Sequence, residues 1–261
     1  MVYRFAPGLA ALAVSCTLLT ACHGRTGAVT QPAPRVTIAA AANLTDVFQV
    51  IGPEFEAATG VHPVFSFGST AQLTQQIENS APFDVFTAAD ATHVAELDRK
   101  GLLLAHSRSV YARGILALWI PPGVKAVIDR MEDLGNPDVR FIAVAKPELA
   151  PYGQAAVETL QHLNLWTHVQ SKIVYAENIN VARQYGLSHN ADAVFTAYSL
   201  VLHEPGKVIQ LSESLHQPID QELGIVASSK NLEPARKFVD FLLHGEGRAV
   251  LLKSGYQVPS L

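Results

Sequence analysis

Cysteine is nearly absent: the 261-residue chain has two, Cys16 and Cys22, both close to its start. The rest therefore has no thiol for a disulfide, a cysteine metal site or a thiolate nucleophile, and an exported domain so built depends on its core alone. Charge is scarce too. Charged residues make up 16% of the chain, with 19 basic against 23 acidic side chains and a net charge of −4, which excludes the basic footprint of a nucleic-acid-binding protein. The apolar opening run, residues 9–19, is too short to span a bilayer comfortably. Repeats and low-complexity tracts are missing outside residues 24–34. No Gly-x-Ser-x-Gly elbow, Ser-x-x-Lys pair, Walker-type glycine loop or His-Glu-x-x-His pair occurs. The ten histidines are scattered without ligand spacing and are expected on the solvated surface.

What is present begins with a lone Arg4, the apolar run and Leu19-Thr20-Ala21-Cys22, the shape of a bacterial lipoprotein signal. Residues 1–21 are expected to be a signal peptide cleaved before Cys22, whose thiol would carry lipid. Residues 22–34, rich in Gly, Thr, Gln and Pro, read as a linker. The domain that follows would then sit, lipid-anchored, on the extracytoplasmic face of a bacterial cell membrane.

From residue 35 the pattern becomes strands alternating with helices. Strands are expected at 36–40, 61–67 and 83–87, with helices at 44–59, broken or kinked at Pro53, and at 71–79. Three strand–helix units in a row argue for a parallel sheet with right-handed crossovers. Residues 111–120 form a long apolar stretch ending in Pro121-Pro122-Gly123, read as a hinge strand leaving one lobe. Strands at 141–145, 173–176 and 193–197, with helices at 154–163 and 180–189, repeat the alternation. A returning strand at 221–227 and closing helices at 232–243 and 248–253 complete the reading. The expected architecture is two α/β lobes, residues 35–115 with 225–261 and residues 116–224, crossed by the chain more than once.

In open α/β sheets ligands sit beyond the carboxyl ends of strands, where helix starts present unpaired amides and partial positive charge. Ala40-Ala41-Ala42-Asn43-Leu44 is the first such junction, with Asn43 a natural N-cap; Phe67-Gly68-Ser69-Thr70-Ala71 is the second, offering two hydroxyls. Both are small, polar and uncharged, which suits an anion bound without a cationic side chain. One such residue is ordinarily only a cap; two on successive junctions fit either a pair of caps or a ligand site. Pro151-Tyr152-Gly153 and Glu177-Asn178-Ile179 open two further helices. Four helix starts converging on a cleft would make a cage for a small oxyanion. The acids Glu54, Glu56, Asp84 and Asp90 read as structural.

The ordered motifs Ala-Ala-Ala-Asn-Leu-Thr (40–45), Phe-Gly-Ser-Thr (67–70), Ala-Pro-Phe-Asp-Val-Phe-Thr-Ala-Ala-Asp (81–90), Ala-Pro-Tyr-Gly (150–153), Glu-Asn-Ile (177–179) and Ala-Asp-Ala-Val-Phe-Thr-Ala (191–197) resemble the bacterial molybdate-binding receptors of ABC transporters. The resemblance runs from about Val36 to the C-terminus. It implies a two-lobed type II periplasmic binding protein fold, each lobe a mainly parallel sheet flanked by helices, with the ligand in the interlobe cleft. It also implies a non-enzymatic receptor, usually monomeric, without a cofactor, that delivers molybdate or tungstate to a membrane permease. Carried over by motif, Asn43 and Thr70 become side-chain and amide donors, Ser69 a weaker one, and Tyr152 and Ile179 amide donors, with no direct metal-cation ligand. Some relatives add a tyrosine hydroxyl at the strand end matching Ala197; Tyr198, one residue later, would reach the ligand only with a different register.

Two other readings stay open. A receptor for another ligand, sulfate or ferric iron, is one, since Tyr111, Tyr152, Tyr175, Tyr185 and Tyr198 could supply phenolates. An exported phosphate- or sulfate-ester hydrolase is the other, although it needs a nucleophile or metal that no spacing supplies.

Overall fold

Residues 35–41 are mostly small or β-branched, and from Ile38 on they are wholly buried, as a strand covered on both faces must be. In the computed structural model, which describes residues 33–259, they form β1 (Arg35–Ala41). The expected signal peptide, Cys22 and the linker up to residue 32 lie outside the described residues. A 3-10 turn, Ala42–Leu44, leads into α1 (Thr45–Thr59), then β2 (His62–Gly68), α2 (Thr70–Glu78), β3 (Val85–Thr87), α3 (Thr92–Arg99) and β4 (Ser109–Gly114). The chain continues through β5 (Leu116–Ile120), β6 (Ile142–Ala145), α4 (Pro151–His162), the single turn α5 (Trp166–Val169), β7 (Ile173–Ala176), α6 (Ile179–Leu187), β8 (Ala193–Ala197) and β9 (Lys207–Gln210). It returns as β10 (Ile219–Ile225) and closes with α7 (Leu232–Leu243) and α8 (Glu246–Lys253).

The strands make two five-stranded sheets, β2-β1-β3-β10-β4 and β7-β6-β8-β5-β9. In the first, β1 is parallel to β2 and β3, while β10 runs against β3 and β4; in the second, β6 is parallel to β7 and β8, while β5 runs against β8 and β9. The reversed strand in each sheet is the one that has just crossed from the other lobe. It therefore needs no helical crossover beside its neighbour.

Helices cover both faces of each sheet. Phe48 and Phe55 of α1 meet Phe238 of α7 edge-on beneath the first sheet, and Leu73, Ile77, Val94 and Leu97 of α2 and α3 pack on its other face. In the second lobe Tyr152, Ala155 and Leu160 of α4 cover one face and Ala182 of α6 the other. Ala41, Ala42 and Ala89 of the first lobe join the same apolar cluster as Tyr152 and Ile179, so the lobes are in contact.

Four expectations need correction. Helix α1 is not broken at Pro53 but continues to Thr59. Proline forfeits one backbone bond, to the carbonyl of Gln49, and both residues face solvent, where water replaces it. The apolar stretch 111–120, expected as one hinge strand, is two strands divided at Ile115, and the crossing falls at Gly114–Ile115. The stretch is mostly buried in both halves, and an apolar run carries no mark of which sheet each half pairs with. The return strand begins at Ile219 and pairs in the first sheet, so residues 219–224 leave the expected second lobe. His216 is buried at 9% exposure rather than solvated. Three elements had no sequence forecast: α3, which buries only Val94 and Leu97, the single turn α5, and β9, a half-buried edge strand.

Candidate functional site

Five segments reach one small cavity of about 10 Å³ between the lobes: Ala41–Asn43, Gly68–Thr70 and Ala89 from the first, Ala150–Tyr152 and Asn178–Ile179 from the second. Each follows the carboxyl end of a strand, β1, β2, β3, β6 or β7. No charged side chain lines it. Across the cleft Ala71 N donates to Leu149 O at 3.2 Å, which holds the start of α2 against the loop before α4.

The positive character of the cavity follows from where the first-turn amides go. Ser69 caps α2: its hydroxyl accepts from Gln72 N and its amide donates to Gln72 Oε1, both at 3.4 Å. With Ala71 N committed to Leu149, the amide of Thr70 has no partner among the described residues. In α4, Pro151 has no N–H, and Gly153 N and Gln154 N return to Ala150 O at 2.9 and 3.1 Å, leaving the amide of Tyr152. In α6, Asn178 Oδ1 accepts from Asn180 N and Val181 N, both at 3.0 Å, leaving the amide of Ile179. The amide of Asn43, in the 3-10 turn, is equally unassigned. Four residues with unassigned amides, two from each lobe, thus line one uncharged space, each at the positive end of a helix or turn.

Thr70 adds a hydroxyl. Its Oγ1 accepts from Ala89 N at 3.2 Å, which orients the oxygen and leaves its proton free for an anion. Asp90, next along that loop, accepts from His93 N at 2.9 Å and from the His93 ring at 2.7 Å, so it anchors the loop to α3; that bond also raises the imidazole above its ordinary value.

Asn43 is not the N-cap its position suggests. The residues preceding the 3-10 turn and α1 are Ala41 and Leu44, neither with a side-chain cap. Buried at 1% exposure, the Asn43 side chain donates through Nδ2 to Gln221 Oε1 at 2.9 Å and Tyr256 Oη at 3.2 Å. Its contribution to the cavity is therefore the backbone. Tyr198 also departs from expectation. It starts the 3-10 turn after β8, its amide bonds Ile115 O at 2.9 Å, its ring packs against Gly255, and it does not line the cavity.

Sequence reasoning missed Ala89, which orients Thr70, and Asn178, whose capping role its place before Ile179 could have signalled. It also missed Gln221, which has no local signal because its partners lie far along the chain. Burial pushes the Tyr111, Tyr152 and Tyr256 phenols above their ordinary value, so they are neutral hydroxyls. Tyr111 Oη and Tyr152 Oη are instead engaged with Gln221, and Tyr175 is exposed on β7.

The family model for bacterial extracellular solute-binding proteins matches residues 36–257. The chain belongs to this family. Among curated relatives of this solute-binding protein, the molybdate-binding protein ModA of Azotobacter vinelandii is 36% identical over 230 residues, covering 86% of this chain and 90% of that protein. ModA of Rhodobacter capsulatus is 33% identical over 228 residues, covering 86% and 88%. Among solved structures, the Azotobacter vinelandii periplasmic molybdate-binding protein matches with a TM-score of 0.82 at 30% identity, covering 86% of this chain and 100% of that one. The sulfate-binding protein SubI from Mycobacterium tuberculosis, at 14% identity and a TM-score of 0.74, shares the fold alone. The two-lobed α/β architecture expected from the motifs is the architecture of this solute-binding protein.

Proposed function

We propose that this protein is the extracytoplasmic receptor of an ABC transporter, capturing molybdate, and tungstate with it, in the interlobe cavity. One observation carries the reading: four unassigned amides, of Asn43, Thr70, Tyr152 and Ile179, converge from both lobes on a cavity lined by no charged group. Kinship with two ModA proteins along most of the chain supports molybdate as the ligand. A tetrahedral dianion entering such a cavity exchanges its hydration shell for fixed N–H and O–H donors, aided by low local dielectric. The hydroxyl of Thr70 joins the amides, and that of Ser69 is a weaker partner because its cap contacts are long.

Neutral donors select by number and spacing. Molybdate and tungstate are nearly the same size and both fit, whereas smaller sulfate leaves donors unsatisfied. Phosphate at neutral pH brings a proton, for which a donor-only cage has no acceptor. The receptor reading has no catalytic residue and no cofactor, and the protein works as a monomer that passes its anion to a permease. Titration calorimetry of the purified protein should give one-to-one binding of molybdate and tungstate and none of sulfate or phosphate. Thr70→Val, which keeps shape and loses the hydroxyl, should weaken molybdate about tenfold. Equal affinity for sulfate would overturn the selectivity argument, and no binding of any oxyanion would overturn the receptor.

The anchor belongs to the same proposal: lipid on Cys22 would tether the domain through the linker to the outer side of the cytoplasmic membrane. Cys22→Ser should move the protein from the membrane fraction to the soluble extracytoplasmic fraction; unchanged fractionation would sink the anchor and leave the receptor intact.

A further inference from the structure

Gln221, on the strand that returns to the first lobe, is fully buried, yet all its recorded side-chain bonds reach residues distant in sequence. Its Oε1 accepts from Asn43 Nδ2 at 2.9 Å and from Tyr111 Oη at 2.8 Å, and its Nε2 donates to Tyr152 Oη at 2.9 Å. Both acceptor positions and one of two donors are thereby used. Asn43 and Tyr152 carry two of the four open amides, one in each lobe. One carboxamide therefore joins the first-lobe and second-lobe halves of the anion cradle.

Room for this junction is made at the crossing point. A Cβ on Gly114 would lie 2.0 Å from Tyr152 Oη and 2.7 Å from Gln221 Nε2, so the bond exists only because residue 114 has no side chain. Tyr152 belongs to α4 and moves with the second sheet, while Gln221 and Asn43 belong to the first. Opening the cleft pulls the phenol away and strips a buried N–H of its partner, which costs more than an exposed bond would.

We propose that Gln221 is a positioning residue for anion capture: through Tyr152 Oη it holds the closed form and sets the two amides at their working separation. This rests on the oxyanion-receptor reading. Tyr256 steadies the same junction from the C-terminal segment, donating from Oη to Asn43 O at 2.7 Å.

The test is stopped-flow dissociation of molybdate from the purified protein, its Tyr152→Phe and Gln221→Leu variants and the double variant. Tyr152→Phe keeps the backbone amide and ring and removes only the hydroxyl. Each single change should raise the dissociation rate about tenfold, with association within about twofold of wild type. The double variant should dissociate no faster than Gln221→Leu alone, because the one bond that Tyr152→Phe removes is already lost with Gln221. A merely structural role would lower the melting temperature without moving the dissociation rate. Unchanged dissociation in Tyr152→Phe, or additive effects in the double variant, would overturn the proposal. Should Gln221→Leu not fold, Tyr152→Phe decides alone. Failure of the wild-type protein to bind molybdate is a separate result, which removes the receptor reading itself.

Discussion

Gly153→Ala is expected to weaken molybdate binding at least about 100-fold, near 3 kcal/mol, the larger of two glycine effects at the cradle. Gly153 lies in the first turn of α4, where the helix passes over the end of β6. A Cβ there would sit 2.0 Å from Ala145 O, 2.8 Å from Ala145 C and 3.2 Å from Lys146 C. All three are backbone atoms. The Ala145 carbonyl cannot retreat, because Ala145 pairs with Ala176 of β7 and Lys146 N donates to Ala176 O at 2.8 Å. The helix start must lift by roughly 1 Å or more, enough to take an amide out of hydrogen-bond range of a fixed acceptor. That lift carries the Tyr152 amide out of the cradle. Overpacking of this kind also costs about 1–3 kcal/mol of stability, so the unliganded melting temperature should fall. Calorimetric affinity within about threefold of wild type would refute the idea that α4 must lie this close to β6.

Gly114→Ala should also cost about 100-fold in affinity, but with the unliganded fold left nearly as stable as wild type. The difference lies in where the clash occurs. At Gly153 the new methyl meets atoms of its own lobe and conflicts with every state. At Gly114 it meets the Tyr152 hydroxyl and the Gln221 amide, a contact that the proposed closing role of Gln221 confines to the shut cleft. Neither partner has room to yield, since Tyr152 is 1% and Gln221 0% exposed. Small-angle scattering should report an extended shape for Gly114→Ala even with saturating molybdate present. Adding Tyr152→Phe removes the atom at 2.0 Å but leaves Cζ at 2.7 Å, so rescue should be partial. Wild-type affinity for Gly114→Ala would mean that binding does not require the closed arrangement.

The part of the cradle legible from sequence was the part set locally. Thr70, Tyr152 and Ile179 stand at helix starts after strands, and whether a first-turn amide is free depends on a few neighbours: a serine cap at 69, a proline at 151, an asparagine cap at 178. Asn43 was legible as a backbone position and misread as a side chain. Its carboxamide had an alternative 178 residues away in Gln221, which local spacing cannot reveal. Tyr198 was undecided for a related reason. It lies just beyond β8, where the 3-10 turn, and not strand alternation, sets the direction of the ring.

By itself, then, the sequence determined the alternation of strands and helices, the uncharged small-residue junctions and the helix-start amides, because periodicity and capping act over a few residues. Tertiary structure decided where the chain returns to the first lobe, before Ile219, because buried strands of either sheet have the same apolar pattern. It also decided that Asn43, Tyr111, Tyr152 and Tyr256 share one buried network around Gln221, because only folding brings such distant polar groups together, and once buried each must find its partner there.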